Sequence, residues 1–465
     1  MNELWRLDVE AAAAALAARE ISSVELVRSS LARIEETEPA VHAWAHIAKV
    51  GALTAAYASD ERRRRGEPLS RIDGIPIGVK DVIDVEGMPT RAGSASLSGS
   101  GPVRIDAASV ARYRASGGVL LGKTHTYEFA FGQGEPPTRN PRDPARYAGG
   151  SSIGSGVAVA VGAVPATLGT DTGGSIRNPA SVNGLVGIKP SRGLVSTEGS
   201  ITISGTMDAI GPLASSAAGC AIVLDAIAER DPHDPSFAAV AERTAEDANL
   251  RVGMDRRMWE RWGVVPAVSE RIAEAADVLA AAGIDVVETS LPATDLALTA
   301  GLLISLSESV RSHRDRLRRD AAGYLSDTRV MIATGALLTP RDIELAHRVR
   351  VALRVKIESV MRAEGLTAIL SPTLPAPAPR LDAMASELTS NGSQASLGSA
   401  LRMLSAANLT GLPALSTPAG TLDGRPVGMH LLGRMRGDGE LLGLARRHES
   451  ISPWRAELPV EPVSV

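Results

Sequence analysis

The sequence predicts an α/β protein built as a single large domain, with a mixed, mostly parallel central sheet covered by helices on both faces. Three observations predict it. The chain has 465 residues, 44% of them hydrophobic and 22% charged, which is enough to bury a large core. Between residues 250 and 288 a strand pattern, an amphipathic helix pattern and a second strand pattern follow one another, as in an α/β unit. No internal repeat and no linker splits the chain, and a big sheet with helices on both faces lets so many residues share one domain.

Taken in order, residues 1–70 read as N-terminal helices. LDVEAAAAALAARE is followed by SSVELVRSSLARIEETEP, where Ser23 can cap, Val24, Leu26, Val27, Leu31 and Ile34 keep helical spacing, and Pro39 is the expected stop. From about residue 71 to 215 the texture changes to short apolar runs, IPIGVK, GGVLLGK and GLVGIKP, separated by Gly, Pro, Ser and Thr; these read as buried strands and tight loops. Residues 216–365 form a largely helical region, which includes the α/β unit: Leu250 to Met254 as strand, Ser269 to Ala282 as helix, Gly283 as stop and IDVVE as strand. The Arg-rich stretch 296–364 is helical, with a solvated face. Residues 366–465 close the core through LTAILSPT, a loop from Leu374 to about Gln394 that is either disordered or a wall near a site, and a helix–strand–turn–strand ending in RPVGMHLLG.

Composition excludes several functions. With 49 basic against 53 acidic residues the net charge is −4, so no basic surplus exists to neutralise nucleic acid. Cys220 is the only cysteine, which rules out an internal disulfide and a cysteine metal cluster and fits the cytoplasm. The N-terminus makes a poor signal peptide, and the Gly154–Gly169 run is too short to span a membrane. The eight histidines show neither an H-E-x-x-H motif nor a paired spacing, so zinc is not indicated.

The basic residues are lopsided: 44 arginines and five lysines, Lys49, Lys80, Lys123, Lys189 and Lys356. Arginine stays protonated, whereas a desolvated lysine can lose its proton and act as a base. Lys80 ends the apolar run GIPIGVKD, at the end of what reads as a buried strand. GTDTGGSIRNPAS contains consecutive glycines before Ser175, which lets backbone N–H groups converge on one point, as a tetrahedral oxyanion needs. GGSSIGSG lacks the lysine of a phosphate-binding loop but holds G-x-S-x-G around Ser152, with a poor strand before it. One reading is therefore a histidine hydrolase with Ser152, Asp423 and His430 in that order.

Together, GIPIGVKD at 74–81, GGSSIGSGVAVA at 149–160, LGTDTGGSIRNPAS at 168–181 and GLVGIKPSRGLVS at 184–196 resemble the amidase signature family, and NLTGLPALSTPAG with RPVGMHLLG is similar to its C-terminal region. The resemblance implies a Ser, cis-Ser, Lys catalytic set on Ser175, Ser151 and Lys80, with a cis Gly150–Ser151 peptide. It implies oxyanion donors from the N–H groups of Thr172, Gly173, Gly174 and Ser175, and supporting roles for Asp171, Arg177 and Ser152. It places TYEFAFG, with Tyr127, Phe129 and Phe131, beside the site. Ile153 stands where the family has glycine and is expected to alter the local turn and to narrow or grease the acyl pocket. The implied activity is hydrolysis of a small-molecule carboxamide, with esters and carbamates as further substrates and no metal or organic cofactor. A glutaminase-type subunit of a tRNA-dependent amidotransferase, working with partner subunits, is the alternative, and a homodimer is left open.

Overall fold

Short apolar runs bounded by glycine or proline become the strands of one sheet. The computed structural model describes residues 3–131, 134, 136–229, 250–291, 294–383, 397–452, 458 and 460–463. In chain order the strands are β1 (Trp44–Ile47), β2 (Pro76–Lys80), β3 (Val119–Thr124), β4 (Ala166–Asp171), β5 (Val186–Lys189), β6 (Ala209–Ala214), β7 (Arg251–Met254), β8 (Asp285–Glu288), β9 (Ala368–Pro372), β10 (Ala414–Leu422) and β11 (Arg425–Gly433). They lie side by side as β1-β3-β2-β4-β6-β5-β10-β11-β9-β7-β8.

The sheet is mixed, but the expectation that it is mostly parallel does not hold. Only β3–β2, β2–β4, β9–β7 and β7–β8 run parallel; the other neighbours are antiparallel. Connection chemistry explains the difference. A parallel pair needs a long crossover, supplied by Ala108–Ala115 between β2 and β3 and by Pro266–Ala281 between β7 and β8. The two-residue turn Asp423–Gly424 forces β10 and β11 antiparallel, and β5 reaches β6 without a helix between them.

Both faces of the sheet are covered. Leu120 belongs to one apolar cluster while its neighbours Val119 and Leu121 belong to another, as the alternation of a strand requires. The first cluster includes Val79, Leu168, Cys220 and Leu224; the second is filled by Val27, Leu31 and Val157 from the helices Ser23–Val41 and Ile153–Ala160. Helix Ser23–Val41 starts on Ser22, not Ser23: Ser22 and Glu25 form a capping box, while the Ser23 hydroxyl is buried against the Gly74 carbonyl. Pro39 falls inside its last turn, and the helix ends instead at His42, in the left-handed conformation (φ 47°).

The Arg-rich stretch 296–364 is three helices, Leu296–Arg319, Ser326–Ala336 and Pro340–Ala363. Its arginines are largely at the surface, yet Ile304, Ser309, His313, Leu353 and Ile357 are buried. Of the predicted 374–394 loop, residues 374–383 are seen, with Leu374 and Ala378 buried; the remainder lies outside the described residues. Among the described residues no helix is long and apolar enough to cross a membrane.

Candidate active site

Lys80 is the last residue of β2, and parallel pairing with β4 carries its side chain to the end of that neighbour. Its Nζ is fully buried, 2.8 Å from Ser151 Oγ and 2.7 Å from Thr170 Oγ1. Burial pulls the amine down to about 7, while the carboxylates of Asp171 and Asp208 pull the other way. The other buried lysines are engaged differently. Lys123 pairs with Asp81 at 2.9 Å, and Lys189 donates to the Pro190 carbonyl at 2.8 Å.

Ser151 follows a cis peptide bond from Gly150 and is buried just before helix Ile153–Ala160. Ser152 points away from the cleft: its Oγ donates to the Thr170 carbonyl at 3.2 Å, and its N–H donates to the Ser175 carbonyl at 3.4 Å. The Ser151 segment and the Ser175 loop are thus joined through backbone. Ile153 is 4% exposed and packs in the second apolar cluster, so it does not line the cleft and the expectation of a narrowed or greased pocket falls.

Asp171 ends β4 and shapes the turn that follows. Its carboxylate accepts N–H bonds from Gly174 at 2.7 Å and Ile176 at 3.2 Å, and it is gripped bidentately by Arg177. Arg177 also donates to Asn408 Oδ1 at 2.6 Å and to the Leu404 carbonyl, and reaches His430 Nε2 at 2.9 Å. Asn408 returns two bonds to Asp171. Burial alone would raise Asp171, but Arg177 outweighs it and holds the carboxyl well below the usual carboxylate range. Gly174 has φ 125°, and a Cβ there would come within 2.3 Å of Leu404 Cδ1, so only glycine makes this turn.

Ser175 lies at the end of the turn, partly exposed to the cleft. Because Asp171 occupies the Gly174 N–H, the expected set of oxyanion donors shrinks. Among the described residues the N–H groups of Thr172, Gly173 and Ser175 have no hydrogen-bond partner.

The cleft has an empty volume of about 890 Å³, mouth included. Ser151, Ser175, Thr172, Gly173 and Gly174 form its floor, with Tyr127, Phe131 and Tyr147 beside them. Helix Leu296–Arg319 presents Leu298, Gly301, Leu302 and Ser305, one stripe at helical spacing, as the facing wall. Phe129 turns away, packing in a tilted contact on Tyr324 and edge to face with His313. Among the described lining residues none is Asp, Glu, Lys or Arg.

The histidine-hydrolase reading does not survive. No strand leads into Ser152, whose hydroxyl is fully buried. His430 is buried against Arg177 and Ser371, and Asp423 sits in an exposed turn on Arg425. Sequence reasoning passes over Thr170, Asn408 and Asp208. Asn408 stands in a segment that the resemblance covers, near the end of helix Leu397–Thr410.

The sequence profile of the Amidase family matches residues 25–442. The chain belongs to that family. It is 38% identical to a glutamyl-tRNA(Gln) amidotransferase subunit of Chloroflexus aggregans, over 99% of this chain and 99% of that protein. A solved amidase, 32% identical, superposes with a TM-score of 0.83 over 96% of this chain and 99% of its own. The corresponding glutamyl-tRNA(Gln) amidotransferase subunit of Thermotoga maritima, 28% identical, gives 0.80 over 100% and 99%. As an amidase-family member the chain is an enzyme that acts on carbon–nitrogen bonds.

Proposed function

We propose that this enzyme cleaves a carboxamide through an acyl-enzyme on Ser175, with Ser151 as proton shuttle and Lys80 as general base. The observation that carries the reading is the contact of 2.8 Å between a buried amine and Ser151 Oγ at the floor of the cleft. Neutral Lys80 takes the Ser151 proton while Ser151 takes that of Ser175, whose Oγ adds to the carbonyl carbon. The N–H groups of Thr172, Gly173 and Ser175 receive the negative oxygen. The proton returns through Ser151 to the leaving nitrogen, without which an amide anion could not depart, and water then enters by the same route to release the acid. Asp171, Arg177 and Asn408 hold the turn, and Ser152 ties it to β4.

The lining favours a neutral substrate with an apolar or aryl acyl group, and esters and carbamates fit the same chemistry. Free glutamine would bring an ammonium and a carboxylate into a cleft whose described lining offers no counter-charge to either. The second reading, a glutaminase subunit of an amidotransferase that works with partner chains, is favoured by the names of the curated relatives. We assign the enzyme to the cytoplasm on its single, buried cysteine.

A fluorophosphonate should label Ser175, read by peptide mass spectrometry; labelling elsewhere with Ser175 untouched overturns the mechanism. Aryl-amide hydrolysis by the isolated chain supports the first reading. Ammonia release from glutamine only in the presence of co-purifying partners supports the second.

A further inference from the structure

A carboxylate behind the floor of the cleft ties its walls together. Asp208 immediately precedes β6, and the β4–β6 register pairs Asp171 with Ala209, which sets Asp208 beside Thr172. Thr172 Oγ1 donates to Asp208 Oδ1 at 2.6 Å. The same carboxylate accepts the N–H groups of Ile203 at 2.9 Å and Ser204 at 3.2 Å, closing a loop whose Ile203 and Met207 line the cleft. That loop is held in turn by Glu308, which accepts from Ser204 Oγ and from Thr206 Oγ1 at 2.8 Å. Glu308 lies on the helix whose Leu298, Gly301 and Leu302 form the facing wall.

We propose that Asp208 is a positioning residue that keeps the Thr172–Gly173 N–H groups aimed at the reacting carbonyl and supplies part of the negative field at Lys80. The proposal rests on the serine–lysine reading above. Thr172 is the first residue past β4, and the Asp208 contact is what fixes its side chain, whereas Asp171 fixes the turn only from Gly174 onward. Asp171 and Asp208 are the carboxylates that favour the ammonium form of Lys80. Asp208 itself faces Glu308, and Thr206 beyond it is met by Arg192 and Arg350. Burial pushes Asp208 up to about 6, so it stays charged over the range in which Lys80 is neutral.

The test compares wild type with Asp208→Asn, Thr172→Val and Thr172→Ser by fluorophosphonate labelling of Ser175 and by aryl-amide hydrolysis across pH. The labelling rate needs no knowledge of the natural substrate. Asp208→Asn should lower kcat at least about tenfold with little change in KM. Its acid limb should also move to lower pH, because one anion that holds Lys80 protonated is gone. Thr172→Val should lower kcat without moving that limb, and Thr172→Ser should recover most of the rate. If Asp208→Asn fails to fold, the Thr172 pair decides: a Thr172→Val enzyme at wild-type rate overturns the proposal. So does a folded Asp208→Asn with an unchanged acid limb and kcat. Absence of Ser175 labelling in the wild type overturns the serine–lysine reading instead, so the two failures are distinguishable.

Discussion

The floor and the facing wall of the cleft are built in different ways. On the floor, Lys80, Asp171 and Arg177 are fully buried, and Asp171 and Arg177 each have several partners. On the wall, Leu298, Gly301, Leu302 and Ser305 offer one neutral helix stripe; among the described residues the same helix reaches the 203–208 loop through Glu308, and Arg350 of the neighbouring helix Pro340–Ala363 donates to Thr206 in that loop. Charges buried this way are expensive to leave unpaired, so the floor has little freedom to change. An apolar stripe can exchange one methylene for another at small cost, so the wall is where substrate choice can vary while the chemistry stays.

The largest effects are therefore expected on the floor. Ser175→Ala removes the attacking atom and should lower kcat by about 10⁴-fold or more, measured on an aryl amide. Lys80→Arg keeps a positive charge but cannot provide a neutral base, and should lower kcat by ~10²–10⁴. Circular dichroism must show both variants folded. An active Lys80→Arg would reduce Lys80 to an orienting cation and break the comparison, because the floor would then be rigid without being chemical.

The pH profile sharpens the same point. The base must be unprotonated, and burial brings Lys80 down to about 7, so kcat/KM should rise through that region and fall on its acid side. The sign for stability is separate. The folded state binds this proton less tightly than the unfolded chain, so Lys80 costs stability at low pH and the cost disappears as pH rises from about 7 toward the unfolded lysine value of about 10.4. A rate profile flat from about pH 5 to 9 would exclude Lys80 as the titrating group.

How much of this is legible in the sequence follows from the kind of signal each part leaves. Lys80, Ser151 and Ser175 lie in Gly-rich runs whose backbone needs are written in residue type, and the structure brings Lys80 to Ser151 at the floor that Ser175 shares. Strand direction leaves no comparable trace: an apolar run reads the same in a parallel or an antiparallel neighbour, so sequence reasoning underestimates the share of antiparallel pairs. Gly174 reads as an open N–H because its sequence neighbours are glycine and serine, and only coordinates show Asp171 on it. Ile153 looks like a pocket residue because of the motif around it, whereas its helix turns it into the core. Asp208 and Asn408 act across long sequence separations, which no local pattern records.

On the wall a smaller and selective effect is expected. Gly301 has room for a side chain, since a Cβ there meets only Met207 Cε at 3.4 Å, and that space is cleft. Gly301→Leu should lower the kcat/KM ratio of a long-acyl to an acetyl anilide at least about tenfold. An equal loss on both substrates would mean that the wall shapes the floor rather than the choice of acyl group.

The smallest effect is expected at Asp423, outside both regions. Its side chain is 87% exposed, its φ of 50° is that of a turn, and its carboxylate accepts from Arg425 at 2.8 Å. An exposed pair of this kind adds little stability, so Asp423→Ala should stay within about twofold of wild type in kcat/KM. His430 is the informative companion. It is buried on Arg177, so His430→Ala should lower the melting temperature by weakening the Arg177 cluster while the enzyme that remains folded keeps its acid limb, which belongs to Lys80. A dead Asp423→Ala, or an acid limb that vanishes with His430, would mean that a histidine carries the proton and that the floor described here is a scaffold for other chemistry.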